Sequence, residues 1–299
     1  LVFFFVVWQV TPPFSFPSNS VVVVEEGTSL YSLAEKLETD KVIRSPFWFR
    51  AFAIFLGGER DMKAGEYYLS GPESLFRIAW RIFHGDYGVE TVRITVPEGF
   101  RVKDISNLFD EKFLLFENEL FEKFAKEGYL FPDTYFVPVT ATATFTIDLL
   151  NDNFTEKISE LKSDLRNSDK TLDEIITMAS IIEGETNTEE DRKIVSGILW
   201  KRISIGMPLQ VDATFKYING KTTKNLTEND LKIDSPYNTY LYKGLPPTPI
   251  SNPGLESIEA TLTPRTTPYL YFLTADDGTM HYSRTFDEHV VKKLKYIKN

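Results

Sequence analysis

Cysteine is absent from the 299 residues. That absence excludes disulfide frameworks, thiolate metal sites and cysteine nucleophiles, and it agrees with an oxidising compartment without requiring one. Histidine is scarce: His84, His281 and His289 are the whole supply. They are too few for a typical zinc enzyme, so neither a metal nor a cofactor is expected. Basic charge is in deficit, with 33 Lys and Arg against 43 Asp and Glu and a formal net charge of −10. No basic patch interrupts that balance, which argues against nucleic acid as a partner. Long apolar runs are missing too. The opening segment Leu1–Val10 (LVFFFVVWQV) falls short of the roughly 20 residues that a bilayer-crossing helix needs. No P-loop, G-x-S-x-G or H-E-x-x-H occurs. Ser159-Glu160-Leu161-Lys162 matches S-x-x-K, but no K-T-G box follows and the match is taken as chance.

What is present has ordinary globular composition, 42% apolar and 25% charged. The length suits about two domains at roughly 150 residues each. Leu1–Val10 reads as the outer end of a truncated membrane anchor or signal sequence, with a buried strand as the alternative. Thr11–Ser20 (TPPFSFPSNS) has linker composition. Four segments are expected: anchor and linker over 1–17, a first module over 18–95, a second βα unit with connecting helices over 96–165, and a C-terminal domain over 166–299.

In the first module Val21–Val24 reads as a strand. Thr28 and Ser29 offer N-caps to a helix with Leu30, Leu33, Ala34 and Leu37 on one face. Ser45–Leu56 predicts an apolar helix, Glu66–Ser70 a returning strand and Glu73–Phe83 another helix. Such a β-α-α-β unit suits either a grip on a polymer or a spacer. A weak repeat follows: Val24-Glu25-Glu26-Gly27 aligns with Val96-Pro97-Glu98-Gly99, and Leu30, Leu33 and Leu37 align with Val102, Ile105 and Phe109. Asp110–Glu127 and Leu149–Leu165 read as helices.

Leu172–Glu185 (LDEIITMASIIEGE) carries the most information. Leu172, Ile175, Ile176, Ala179 and Ile182 form an apolar stripe. At about 100° per residue, Glu183 lies near the direction of Ile176 and within about 40° of Ala179. It therefore points to the buried side, while Glu185 points nearly opposite. A desolvated carboxyl there is expected to hold its proton to higher pH, as a general acid must; fraying at Gly184 would instead leave it solvated. The helix Glu189–Ser204 follows, with Thr188 as N-cap and Asp191 completing a capping box. Met207–Thr214, Tyr237–Tyr240 and Gly244–Ile250 are loop segments dense in proline and glycine, either a substrate groove or a rigid connector. Tyr269–Thr274 and Met280–Thr285 predict a hairpin, whose tyrosines suit sugar stacking or plain packing.

Thr177–Thr186 (TMASIIEGET), Gly206–Thr214 (GMPLQVDAT), Tyr237–Tyr240 (YNTY), Gly244–Ile250 (GLPPTPI) with Asn252-Pro253-Gly254, and Pro268–Phe272 (PYLYF) resemble, in order and spacing, the motifs of the endolytic murein transglycosylases, the YceG-like or MltG family. Tyr129–Tyr135 (YLFPDTY) resembles that family's segment before the catalytic helix, and the first module its LysM-like module. The resemblance implies an α+β fold: a LysM-like βααβ module, a small βα unit and a mixed catalytic domain. It implies a single-pass bacterial cytoplasmic-membrane enzyme acting on its outer side. Its substrate would be peptidoglycan glycan strands and its partners cell-wall synthases such as penicillin-binding proteins. Its role would lie in cell-wall assembly and the control of strand length. The MurNAc-β-1,4-GlcNAc bond would be cut within strands to leave 1,6-anhydroMurNAc ends. Glu183 takes the place of the catalytic glutamate. Gln210, Asp212, Tyr217, Asn238 and Tyr240 match positions that line the glycan cleft, and Glu185 is a secondary candidate. Gly184 stands where the family commonly has lysine, Ala213 where it has proline, and Val290 where it tends to have asparagine.

Two rivals remain. A muramidase-type hydrolase would need a second carboxylate, for which Glu185 is poorly placed and Asp212 is available. A non-catalytic peptidoglycan-binding scaffold would need no acid at all.

Overall fold

The computed structural model describes residues 7–57, 62–88 and 91–297. The chain divides into two compact units, Leu1–Val92 and Arg93–Asn299. Most of the expected membrane anchor, residues 1–6, lies outside the described residues. Among the described residues no helix is long and apolar enough to cross a membrane.

In the first unit β1 (Ser20–Val24) pairs antiparallel with β2 (Gly65–Leu69), Val22 opposite Tyr67. Alternation sets their faces: Val22, Val24, Tyr67 and Leu69 are buried while Val21 and Val23 are exposed. Helix α1 (Leu30–Thr39) begins at Ser29, whose hydroxyl accepts the Ser32 N–H, and it buries the expected stripe of Leu30, Leu33, Ala34 and Leu37. Helix α2 (Pro46–Phe55) is capped by Ser45 and buries Phe49 and Ala53. Helix α3 (Leu75–His84), capped by Ser74, stops at Gly85 with φ 67°. The buried Arg81 is answered by Glu73 at 2.6 Å and by the carbonyls of Tyr68 and Asp86. The expected β-α-α-β order is present, with α3 closing it.

In the second unit β3 (Thr91–Thr95) pairs with β4 (Thr134–Pro138), and α4 (Val102–Asp110) follows the Glu98-Gly99 turn. The single helix expected over Asp110–Glu127 is broken: only α5 (Asn118–Phe124) is helical beyond α4. Phe109, Phe113, Phe116 and Phe121 gather into one aromatic cluster, and the chain turns between them to bring the rings together. Helix α6 (Ala143–Glu160) begins at Thr142, earlier than the pattern suggested, and α7 (Lys162–Asn167) continues it.

Helices α8 (Leu172–Glu185) and α9 (Glu189–Ser204) have the predicted bounds. Thr171 and Glu174 form a reciprocal capping box for α8. At α9 the box is only half made: Thr188 Oγ1 accepts the Asp191 N–H, but the Asp191 carboxylate turns back onto the Thr188 hydroxyl. Three later elements complete the unit's helices, α10 (Ala213–Asn219), α11 (Leu255–Leu262) and α12 (Phe286–Tyr296). Strands β5 (Tyr271–Thr274) and β6 (Met280–Ser283) form the expected hairpin. The α8 stripe predicted one buried face, yet every residue from Ile175 to Ile182 is buried. One side packs with Tyr129, Phe131, Phe154 and Ile258, the other with Val195, Leu199, Leu209 and Ile250. Residues 96–165 and 166–299, expected as separate segments, therefore share a core around α8.

Candidate active site

The end of α8 carries two carboxylates to opposite neighbours. Glu183 has a side chain only 9% exposed. Its Oε2 accepts the backbone N–H of Gly254 at 3.0 Å, and its Oε1 lies 3.7 Å from Nη2 of Arg192 on α9. Arg192 is itself 8% exposed and binds Glu256 through Nη1 at 2.6 Å. Beneath Glu183 lies the Glu98-Gly99 turn: a Cβ on Gly99 would stand 3.5 Å from Glu183 Cγ. Gly99 has φ 72°, which a residue without a side chain adopts at least cost. Glu98 is exposed as a residue, but its carboxyl fills the space where a side chain on Gly254 would begin. Burial of that end, then the charge of Glu183, pushes the Glu98 carboxyl above its usual range, against the pull of Arg192.

Glu185 faces α10 instead. Its Oε1 accepts the Ala213 N–H at 2.9 Å, tying the first turn of α10 to the last turn of α8. Burial raises its carboxyl to about 7, and the neighbouring Asp212 adds to the rise. Asp212 accepts a 2.6 Å hydrogen bond from the Tyr240 hydroxyl. Burial, then the Asp212 charge, drives that phenol well above its ordinary value. Gln210 is exposed and adopts φ 50°, an uncommon conformation for a residue with a Cβ, with its N–H on the Thr239 carbonyl at 3.0 Å. The structure thus brings Glu185, Asp212 and Tyr240 into one linked group and sets Glu183 on the other side of the helix end.

Tyr217, on α10, stacks at a tilt against Tyr237 with ring centroids 4.7 Å apart. Burial and Tyr237 raise its hydroxyl to about 12. Asn238 is fully buried. Its amide donates to the carbonyls of Leu231 and Ile233 and accepts the Tyr240 N–H, so all its polar capacity serves the loop. It shapes the loop bearing Tyr237 and Tyr240 and presents no polar atom outward.

The Glu98 turn and the Gly254 loop are stitched together by Asn252. Its backbone pairs with Gly99 and Phe100, while Nδ2 donates to the Phe100 carbonyl at 2.9 Å and to Glu127 at 3.1 Å. Its Oδ1 accepts the Leu130 N–H at 2.9 Å. Glu127 also accepts the Val102 N–H, and burial raises it to about 7. Sequence reasoning passed over Glu98, Arg192, Gly254, Asn252 and Glu127 as site residues. The repeated Glu-Gly turn and the Asn-Pro-Gly motif were the available signals for two of these places; nothing in the helical pattern of 189–204 marks Arg192.

Comparison with known proteins identifies the family. The YceG-like family model matches residues 22–295. A Bacillus subtilis protein named endolytic murein transglycosylase is 32% identical, the alignment covering 92% of this chain and 84% of that protein. A protein of the same name from Streptococcus pneumoniae is 28% identical over 90% of this chain, which spans 56% of its length. The crystal structure of a YceG-like protein from Listeria monocytogenes superposes with a TM-score of 0.64 at 29% identity, covering 92% of this chain and all of that one. With a family model spanning nearly all of the second unit and most of the first, the chain belongs to the YceG-like family.

Proposed function

We propose that this protein is an endolytic peptidoglycan lytic transglycosylase that cuts the MurNAc-β-1,4-GlcNAc bond within glycan strands and leaves 1,6-anhydroMurNAc ends. The observation that carries the reading is the sheltered carboxyl of Glu183, held between the Gly254 N–H and Arg192 in a chain whose relatives bear that activity in their names. Protonated Glu183 gives its proton to the glycosidic oxygen as the C1–O bond breaks, and positive charge develops at the muramyl C1. The carboxylate left behind takes the proton of the muramyl C6 hydroxyl as O6 bonds to C1. Glu183 ends protonated, as it began, and no water is consumed. Gly254 and Arg192 hold the carboxyl in place and stabilise the anion between the two transfers.

Gln210, Asp212, Tyr217 and Tyr240 supply the wall of the cleft in this reading, while Asn238 holds their loop. Glu185, bonded to the α10 backbone, supports that wall. The first unit serves as a LysM-like glycan grip. The apolar N-terminal residues anchor the enzyme at the outer face of the bacterial cytoplasmic membrane, where it meets synthases and limits strand length. Glu185 and Asp212 are each engaged elsewhere, on Ala213 and Tyr240, which disfavours them as the second carboxylate of a hydrolase.

Mass spectrometry of soluble products from uncrosslinked glycan strands, with the wild-type chain and Glu183→Gln, tests the proposal. Anhydromuramyl ends that disappear in the variant support it. Reducing ends would make the protein a hydrolase, and no cleavage by either protein would favour a scaffold.

A further inference from the structure

We propose that the outer face of α2 is a membrane-docking surface, lying against an anionic lipid bilayer beside the apolar N-terminal residues. The proposal deepens the reading of those residues as an anchor and depends on it. Helix α2 is apolar on two sides. Phe49 and Ala53 enter the core, while Phe47, Ala51, Ile54 and Phe55 recur at i, i+4, i+7 and i+8 on the other face. Phe47, Ile54 and Phe55 are 63%, 67% and 84% exposed. A helix that is apolar all round is normally covered all round, and a contiguous exposed apolar patch marks a surface that meets a partner or a membrane. Leu30 and Tyr31 of α1 extend the patch, forming a groove with Phe47, Ala51 and Ile54.

The surroundings of the patch select lipid as its occupant. The chain leading out of the apolar opening is fastened to the start of α2. Arg44 donates through Nε to the carbonyls of Thr11 and Pro12 at 3.2 Å and through Nη2 to Pro12 at 2.8 Å. Its guanidinium lies 4.7 Å from the centroid of the Trp8 ring and 5.1 Å from that of the exposed Phe14. An anchor that enters a bilayer therefore brings the first turn of α2 to the lipid surface. Charge is complementary too. In a chain of net charge −10, residues 41–58 hold Lys41, Arg44 and Arg50 and no acidic residue. The hydrogen bonds of Arg44 go to carbonyls, which leave its charge intact. Anionic headgroups attract such cations, and an apolar helix face with basic flanks sinks into the boundary between headgroups and acyl chains. A glycan would need hydrogen-bonding side chains among the rings to orient it. The α2 stripe has none, and the adjacent Arg50 is taken by Glu35 at 3.3 Å and by the Tyr31 ring.

The absence of cysteine makes the test clean, because a nitroxide on Ile54→Cys is then the chain's single thiol label. The labelled chain is mixed with vesicles of phosphatidylcholine and phosphatidylglycerol. Co-sedimentation is measured, and EPR power saturation reads the access of the label to oxygen and to a water-soluble nickel complex. The expected result is co-sedimentation with loss of nickel access, at a depth of about 5–10 Å into the headgroup and acyl boundary. Adding Phe47→Ser and Phe55→Ser, both at exposed positions that the fold does not need, should restore nickel access while the chain still co-sediments through its N-terminal residues. Co-sedimentation with a label that stays in water overturns the docking face and leaves the anchor standing. No co-sedimentation overturns both. Shielding of the label by glycan strands without vesicles would overturn the proposal in favour of a sugar site. Shielding that grows with protein concentration alone would overturn it in favour of a second copy of the chain.

Discussion

A Cβ placed on Gly184 would stand 2.8 Å from the Cβ of Ala213, so these two residues face each other where α8 meets α10. They are also two of the positions at which the resemblance leads us to expect another residue. The missing side chain at 184 is what lets α10 sit close enough for Glu185 to reach the Ala213 N–H.

Gly184→Ala should therefore destabilise the protein by about 1–3 kcal/mol, the usual cost of overpacking a close contact. Ala213→Gly in the same chain should recover part of the loss. Denaturant unfolding of the two single variants and the double variant gives the coupling, and strictly additive losses would refute the contact.

Glu185 makes stability depend on pH. Its carboxyl is raised from 4.5 to about 7 in the folded state, so the folded protein prefers the protonated form more than the unfolded chain does. The associated stability is complete below about pH 4.5 and is lost as pH rises toward about 7. The displacement corresponds to roughly 3 kcal/mol. Glu185→Gln keeps an acceptor for Ala213 and carries no charge, so it should be more stable than wild type at pH 8 and close to it at pH 4.5. Urea unfolding at both pH values measures this.

Tyr240→Phe removes the only hydroxyl donated to Asp212 among the described residues. Hydrogen bonds to charged groups contribute about 1.5–3 kcal/mol, and a loss in that range is expected. Asp212→Ala, which removes the acceptor, should be nearly insensitive to the further loss of the Tyr240 hydroxyl. A large extra loss in the double variant would mean that the pair does not act together.

Asn252→Ala should be the most damaging of these changes. It orphans the Leu130 N–H and takes one of their hydrogen bonds from the Phe100 carbonyl and from Glu127, which keep the Asn252 and Val102 backbone N–H groups. The orphaned buried N–H alone costs about 1–3 kcal/mol. Melting temperature should fall, and because the Asn252 amide ties the loop before Gly254 to Phe100 and Leu130, anhydromuramyl release should fall even at temperatures where the variant is folded. Full activity in the folded variant would show that Asn252 does not hold the site.

Local chemistry made much of this legible. Ser29, Ser45, Thr171 and Thr188 each cap the helix that follows, and a cap acts within a few residues of its own position, which is why the starts at Ser29 and Thr188 were legible. Helical periodicity likewise turned Glu183 inward before any neighbour was known. The same reasoning failed at α10. The Asp212 side chain makes no capping bond there, and the first turn is held instead by Glu185, from another helix. It failed again over residues 111–117, where the aromatic cluster overrides helix propensity.

Periodicity tells which face of an element is buried and is silent on what covers it. The pattern of residues 172–185 therefore sufficed to aim Glu183 and Glu185 at opposite sides of α8, but not to show that the side of Glu185 is covered as well. The tertiary structure alone placed Glu98, Arg192 and Gly254 around the one and Ala213, Asp212 and Tyr240 around the other. Those groups come from segments far apart in the chain, and packing of whole elements on α8 brings them within reach of the carboxylates.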